Sequence, residues 1–228
     1  MRHQLTAAVM TAAVLAVALL GLSACNAEQP PLGCPVQRIT WAAKYNLKES
    51  QAPVGACASK AGERLGIQTY NVPGTQENTL VIKPETLARL DAADPDHPSY
   101  SLGAWPEQAG ADDFCVAPEL SVAEKHVAAS GDTAARDVTY KWSNVRIIAR
   151  ASAPGSQLIA NLEYTDGACT AHYEVWGVWP SVSCADENGA PDNRVCTEPG
   201  YGLNPDFALT CDPKLLRCVP SNRPPSFR

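Results

Sequence analysis

Histidine, methionine and phenylalanine are scarce in this chain, with four, two and three copies in 228 residues, and no Cys-x-x-Cys occurs anywhere. Structural zinc sites usually announce themselves by close pairs of thiols or imidazoles. Here the histidines beyond the first turn of sequence, His97, His126 and His172, stand far apart, so no metal is expected. Gly-x-Ser-x-Gly, His-Glu-x-x-His and Ser-x-x-Lys are all missing. No glycine-rich loop follows a strand, so a nucleotide cofactor is not expected either. A triad assembled from scattered residues needs no motif, which keeps a secreted hydrolase as a third reading. Positive charge is short as well: the net charge of −6 argues against nucleic acid and against electrostatic docking on anionic lipid.

What is present begins at the N-terminus. Arg2 and His3 precede an uncharged run, Leu5 to Leu20, which ends in Leu22-Ser23-Ala24-Cys25. A charged start, a short apolar run and small residues make a secretory signal, and the run is too short for a membrane span of roughly 20 residues. The Leu-Ser-Ala-Cys string resembles the lipobox of bacterial lipoproteins. The resemblance implies that Cys25 carries diacylglycerol on sulfur and an acyl chain on its new amino group. Two or three such chains hold a protein firmly to a bilayer. Asn26 follows where Asp would favour inner-membrane retention, so the outer membrane is expected. Loss of residues 1–24 removes Arg2 and moves the net charge to −7. The expected organisation is a signal peptide over 1–24, an anchor and tether over 25–33, a mainly β domain over 34–183 and a Cys/Pro-rich segment over 184–228.

Eight further cysteines remain: Cys34, Cys57, Cys115, Cys169, Cys184, Cys196, Cys211 and Cys218. An even number in an exported chain predicts four disulfides. The sequence does not choose their pairing, beyond an expectation that the last four pair mostly among themselves. Their segment has seven prolines and little apolar sequence to form a core.

The fold class is expected to be mainly β, an antiparallel meander or sandwich-like domain followed by a disulfide-stapled, loop-rich segment. Arg38–Tyr45, Gly66–Val72 and Thr79–Lys83 read as short strands, and Pro84–Leu90 as a helical turn or two. Asp91–Asp113 reads as loop. Glu119–Ala129 has helix formers and a possible capping pair, Ser121 with Glu124, but weak apolar spacing. Asp166-Gly167 predicts a tight hairpin turn that pairs Tyr164 with Cys169, Leu162 with Ala171, Ala160 with Tyr173 and Leu158 with Val175. One face of that hairpin is wholly apolar. Pro154-Gly155 predicts a second reversal, placing Arg146 opposite Glu163, and a parity change marks Ser143-Asn144 as a bulge.

The strings Tyr140-Lys141-Trp142-Ser143-Asn144-Val145-Arg146, Ala153-Pro154-Gly155-Ser156-Gln157, Tyr164-Thr165-Asp166-Gly167-Ala168-Cys169-Thr170-Ala171 and Gly177-Val178-Trp179-Pro180 are similar to those of small cysteine-rich outer-membrane lipoproteins of myxobacteria. The tail Gly202-Leu203-Asn204-Pro205-Asp206-Phe207 with Cys211-Asp212-Pro213 is similar too. The resemblance implies an outer-membrane lipid anchor and assigns no catalytic residue.

Several side chains still invite a site. Ile148, Ile159 and Trp176 fall on the polar face of the hairpin register and form either a covered patch or an interaction stripe. His172, on the same face, reads as a solvated strand histidine rather than a general base. Asp91, Asp94 and Asp96, with Asp112 and Asp113, offer oxygens for calcium, but lack the glycine and terminal glutamate of an EF-hand. Trp41, Trp105, Trp142, Trp176 and Trp179 suggest either core packing or a sugar-stacking platform. The favoured reading is a non-catalytic envelope lipoprotein in a structural or interaction role. Its expected partners are the membrane, through lipid, and an envelope protein or polysaccharide; a carbohydrate-binding module is the alternative.

Overall fold

In the computed structural model, the structure describes residues 32–48, 56–71, 78–131 and 134–228. Leu32–Arg228 forms one compact unit. Cys25, the signal over 1–24, and all of the 25–33 tether except Leu32 and Gly33 lie outside the described residues. The strands are β1 (Ile39–Leu47), β2 (Gly62–Asn71), β3 (Asn78–Pro84), β4 (Ser101–Trp105), β5 (Phe114–Glu119), β6 (Ala123–Val127), β7 (Arg136–Ile148), β8 (Gln157–Asp166), β9 (Cys169–Val178), β10 (Leu209–Asp212) and β11 (Arg217–Pro220). Single helical turns, α1 (Glu85–Ala88) and α2 (Arg194–Thr197), complete the set with a 3-10 turn at Ala56–Ser59. Among the described residues no helix is long and apolar enough to cross a membrane.

The mainly β, antiparallel fold expected from the sequence is what forms. Two meanders, β1 to β4 and β7 to β9, join where β1 pairs with β9. β5 and β6 both pair with β7, giving nine strands in the order β4-β3-β2-β1-β9-β8-β7 with β5 beside β7. The sheet curls until its ends nearly meet. The backbone N–H of Ser121 donates to Leu102 O at 2.7 Å, and that of Leu102 to Ser121 Oγ at 2.9 Å. Gly103 permits this closure, because a Cβ there would stand 2.2 Å from Leu120 Cδ2 and 2.8 Å from Glu119 O. Curling buries the inward alternate residues of this sheet in one core, with Trp41, Leu65, Leu80, Ile82, Trp142, Leu162 and Tyr173 among its largest members. Near-closure also removes most free strand edge, the usual liability of a sheet.

Several local expectations are corrected. β4 lies within the Asp- and Pro-rich stretch read as loop: Tyr100, Leu102 and Ala104 alternate with the inward Ser101, Gly103 and Trp105. Residues 123–127, where weak apolar spacing stood against the helix formers, are strand, and Ser121 spends its hydroxyl on Leu102 across the sheet ends. In the β8–β9 hairpin Asp166 pairs with Cys169, so Tyr164 faces Ala171 and Leu162 faces Tyr173, two residues from the expected register. Asp166 is held in the strand by Arg136 at 2.7 Å and by the Tyr164 hydroxyl at 2.8 Å, leaving Gly167 and Ala168 to turn. A shift of two preserves the side-chain parity, and the expected apolar face is the buried one. The β7–β8 loop is longer than expected. Arg146 therefore sits opposite Ile159, and Lys141 rather than Arg146 meets Glu163. The bulge does fall at Ser143–Arg146, with Asn144 at φ 48°.

Four disulfides form: Cys34–Cys115, Cys57–Cys169, Cys184–Cys211 and Cys196–Cys218. The last four cysteines thus pair among themselves. Their segment, including the β10–β11 hairpin, lies on the outside of the sheet. There Phe207, Leu209, Cys218 and Val219 make a second apolar cluster with Ala42, Phe114, Ile148 and Val178.

Candidate functional site

The C-terminal segment covers only part of the outer face. On the other part, the outward residues of β2, β3 and β4 make a continuous row: Gln68 opposite Val81, and Val81 opposite Leu102. Beside it, Gly66 opposite Lys83 contributes no side chain and leaves a hollow. Ile39, Tyr70 and Tyr100 rim a groove of about 490 Å³ here. Ile39 is 75 % exposed and has φ 87°. A β-branched residue in that region is a true outlier, and such strain gathers at functional surfaces. Two of the groove's polar side chains are engaged: Lys83 Nζ lies 2.7 Å from Asp91 Oδ2, and the Gln68 amide donates to the Tyr70 hydroxyl. What remains open is mostly apolar.

A polar plug fills the barrel interior next to Ala56–Ser59. The Glu63 carboxylate accepts from Tyr45 OH at 3.0 Å, Tyr140 OH at 2.6 Å and Thr86 N at 2.7 Å, with Lys60 Nζ 3.2 Å away. Lys60 also lies over the Tyr164 ring, 5.1 Å from its centroid. Burial, then the neighbouring Glu63 carboxylate, holds the Tyr45 and Tyr140 hydroxyls well above their ordinary pKa. These phenols are therefore locked donors at neutral pH rather than nucleophiles.

Of the two readings of Ile148, Ile159 and Trp176, a covered patch or an interaction stripe, the covered one holds for the two isoleucines. Ile148 is 0 % and Ile159 2 % exposed, and only Trp176 is half-buried. The C-terminal segment covers this area: Ser226 and Gln157 exchange hydrogen bonds, and Arg223 reaches Glu174 at 2.9 Å. Four of the five carboxylates offered for calcium are engaged elsewhere, Asp94 with His97. Asp91 meets Lys83 and Lys125, Asp112 meets Arg146, and Asp113 meets Arg150. Trp41, Trp105 and Trp142 are core residues, which removes them from any sugar platform. Trp179 donates to Arg38 O and Trp176 to Glu174. His172 stays partly exposed on β9, with Glu163 at 4.0 Å beside it.

Sequence reasoning missed Tyr70, Tyr100 and Leu102 as a surface, although the Tyr-x-Leu-x-Ala alternation of β4 carried the signal. It also missed Lys125, which is 1 % exposed and donates to Asp94 O at 2.5 Å and His97 O at 2.7 Å, fixing the loop before β4. That loop brings His97 against His126, with ring centroids 4.6 Å apart, so two histidines read as distant are neighbours.

The MlpA family model matches residues 39–180, the stretch holding all nine strands of the large sheet. The chain belongs to the MlpA family. A member from Myxococcus xanthus named "Putative lipoprotein MlpA" is 36 % identical over 233 residues, covering 96 % of this chain and 98 % of the relative. The similarity to that MlpA protein thus runs past the large sheet, through the C-terminal disulfide segment. No solved structure matches.

Proposed function

We propose that this protein is a lipoprotein of the outer membrane, held by lipid on Cys25, with a non-catalytic docking role in the cell envelope. The lipobox and the relative's name support the anchor. The observation that carries the docking role is the apolar groove on β2, β3 and β4, left open beside the part of the outer face that the C-terminal segment covers. Exposed apolar patches of this kind mark interaction sites in soluble proteins. The occupant we favour is an envelope protein that inserts apolar side chains. A polysaccharide would require many free hydrogen-bonding groups, and Gln68 and Lys83 are already engaged.

The test is a photo-crosslinking residue at Leu102 in intact cells, with the exposed Thr170 on β9 as control. The account expects one discrete adduct from Leu102 alone, identified by mass as an envelope protein. That protein, once purified, should bind the full lipoprotein and lose at least about tenfold in affinity to the Leu102→Asp form, since one buried apolar anchor contributes 2 kcal/mol or more, roughly. No adduct, the same adduct from Thr170, or an adduct with a second copy of the chain would each overturn it.

A further inference from the structure

We infer that His97, Glu124 and His126 form a binding site for a divalent transition metal of the zinc class. One ligand atom from each of the three lies within 4.8 Å of the others. Glu124 and His126 alternate on β6 with the buried Lys125 between them, so both point outward at the rim of the near-barrel. His97 reaches the same point from the loop that Lys125 fixes. The rim leaves the site accessible, since all three side chains remain partly exposed.

The second observation is the orientation of the rings. Nδ1 of His97 lies 2.9 Å from Asp94 Oδ1, and Nδ1 of His126 lies 2.9 Å from Asp137 Oδ1. A carboxylate on Nδ1 fixes the tautomer that puts a lone pair on Nε2 and aims the ring, which is how proteins support metal-bound histidines. Nε2 of His126 is already 3.7 Å from Glu124 Oε2. Asp94 is itself held by the His126 backbone N–H at 2.6 Å, so the support is rigid. Two imidazoles and one carboxylate suit zinc, and calcium takes oxygen ligands instead. Three protein ligands leave a fourth tetrahedral position for water or for a group on another molecule. Among the described residues the other convergence of candidate ligands, Cys184, Cys196 and Cys218, is oxidised into disulfides.

The proposal is independent of the docking groove and is tested on the full mature lipoprotein in detergent. The protein is stripped with chelator and titrated with Zn²⁺ against a chromophoric competitor, then with Co²⁺ to read the visible bands of a four-coordinate ion. One equivalent is expected. His97→Ala and Glu124→Gln should abolish competition. Asp137→Asn, which removes only the support for His126, should weaken binding about 10–100-fold. His172→Ala should change nothing, and all variants should unfold at the parent temperature in chelator. Absence of binding, or one-equivalent binding that survives both His97→Ala and Glu124→Gln, would overturn the assignment.

Discussion

Replacing Lys60 by Met isolates the energetics of the barrel plug. The Lys60 and Glu63 side chains are 16 % and 6 % exposed and 3.2 Å apart. At that distance an effective dielectric near 20 gives an attraction of about 5 kcal/mol before desolvation. Removing one partner of a buried pair typically costs 3–5 kcal/mol, because the other charge stays behind. Glu63 would keep its two phenol donors and Thr86 N, which places the expected loss at the lower end, about 3 kcal/mol. For a folded unit of this size that corresponds to a fall in Tm of roughly 6–12 °C. Glu63→Gln alone should also destabilise, since its amide must turn a donor toward Lys60 or Thr86 N. The double variant should be more stable than the sum of the two by at least about 1 kcal/mol. Thermal unfolding of the oxidised protein, followed by near-UV circular dichroism of the tyrosines and tryptophans, provides the assay. A Lys60→Met Tm within about 2 °C of the parent, or strict additivity in the double variant, would refute a coupled buried cluster.

Two further outcomes follow from the same geometry. Glu85, clasped by Arg64 and Arg89, has a folded pKa of about 2 against an ordinary 4.5, with the Arg64 hydrogen bonds the largest cause. Its folded pKa is depressed, so its contribution is present above 4.5 and lost as pH falls toward 2; the Tm gap between parent and Glu85→Gln should close over that window. Removing the Cys57–Cys169 bridge, whose ends are 112 residues apart, should cost about 5 kcal/mol, against about 3 for Cys196–Cys218 at 22 residues, measured by denaturant unfolding of the paired Ala variants.

The apolar face of β8 and β9 was legible because a two-residue period survives any even slip, and the register did slip by two. What moved it was a side-chain clasp, Arg136 and Tyr164 on Asp166, which local turn preferences do not contain. β4 was masked by the aspartates and prolines on either side of a clean alternation. The second hairpin loop is the longer one, and within it Gly155, at φ 63°, packs against Pro35, where a Cβ would stand 2.2 Å from the carbonyl oxygen, a contact between distant residues. The fate of Ile148 and Ile159 depended on where the tail lands, a long-range contact. The groove and the His97–His126 pair likewise exist only once the sheet curls, so neither is visible in spacing along the chain.

The most direct test of the lipoprotein account is the mass of the N-terminal peptide from gradient-separated inner and outer membranes. The account predicts a peptide beginning at Cys25, carrying diacylglycerol and an added acyl chain, in the outer-membrane fraction, and its disappearance from that fraction in Cys25→Ala. An unmodified N-terminus at another residue, or the acylated peptide in the inner membrane alone, would contradict it.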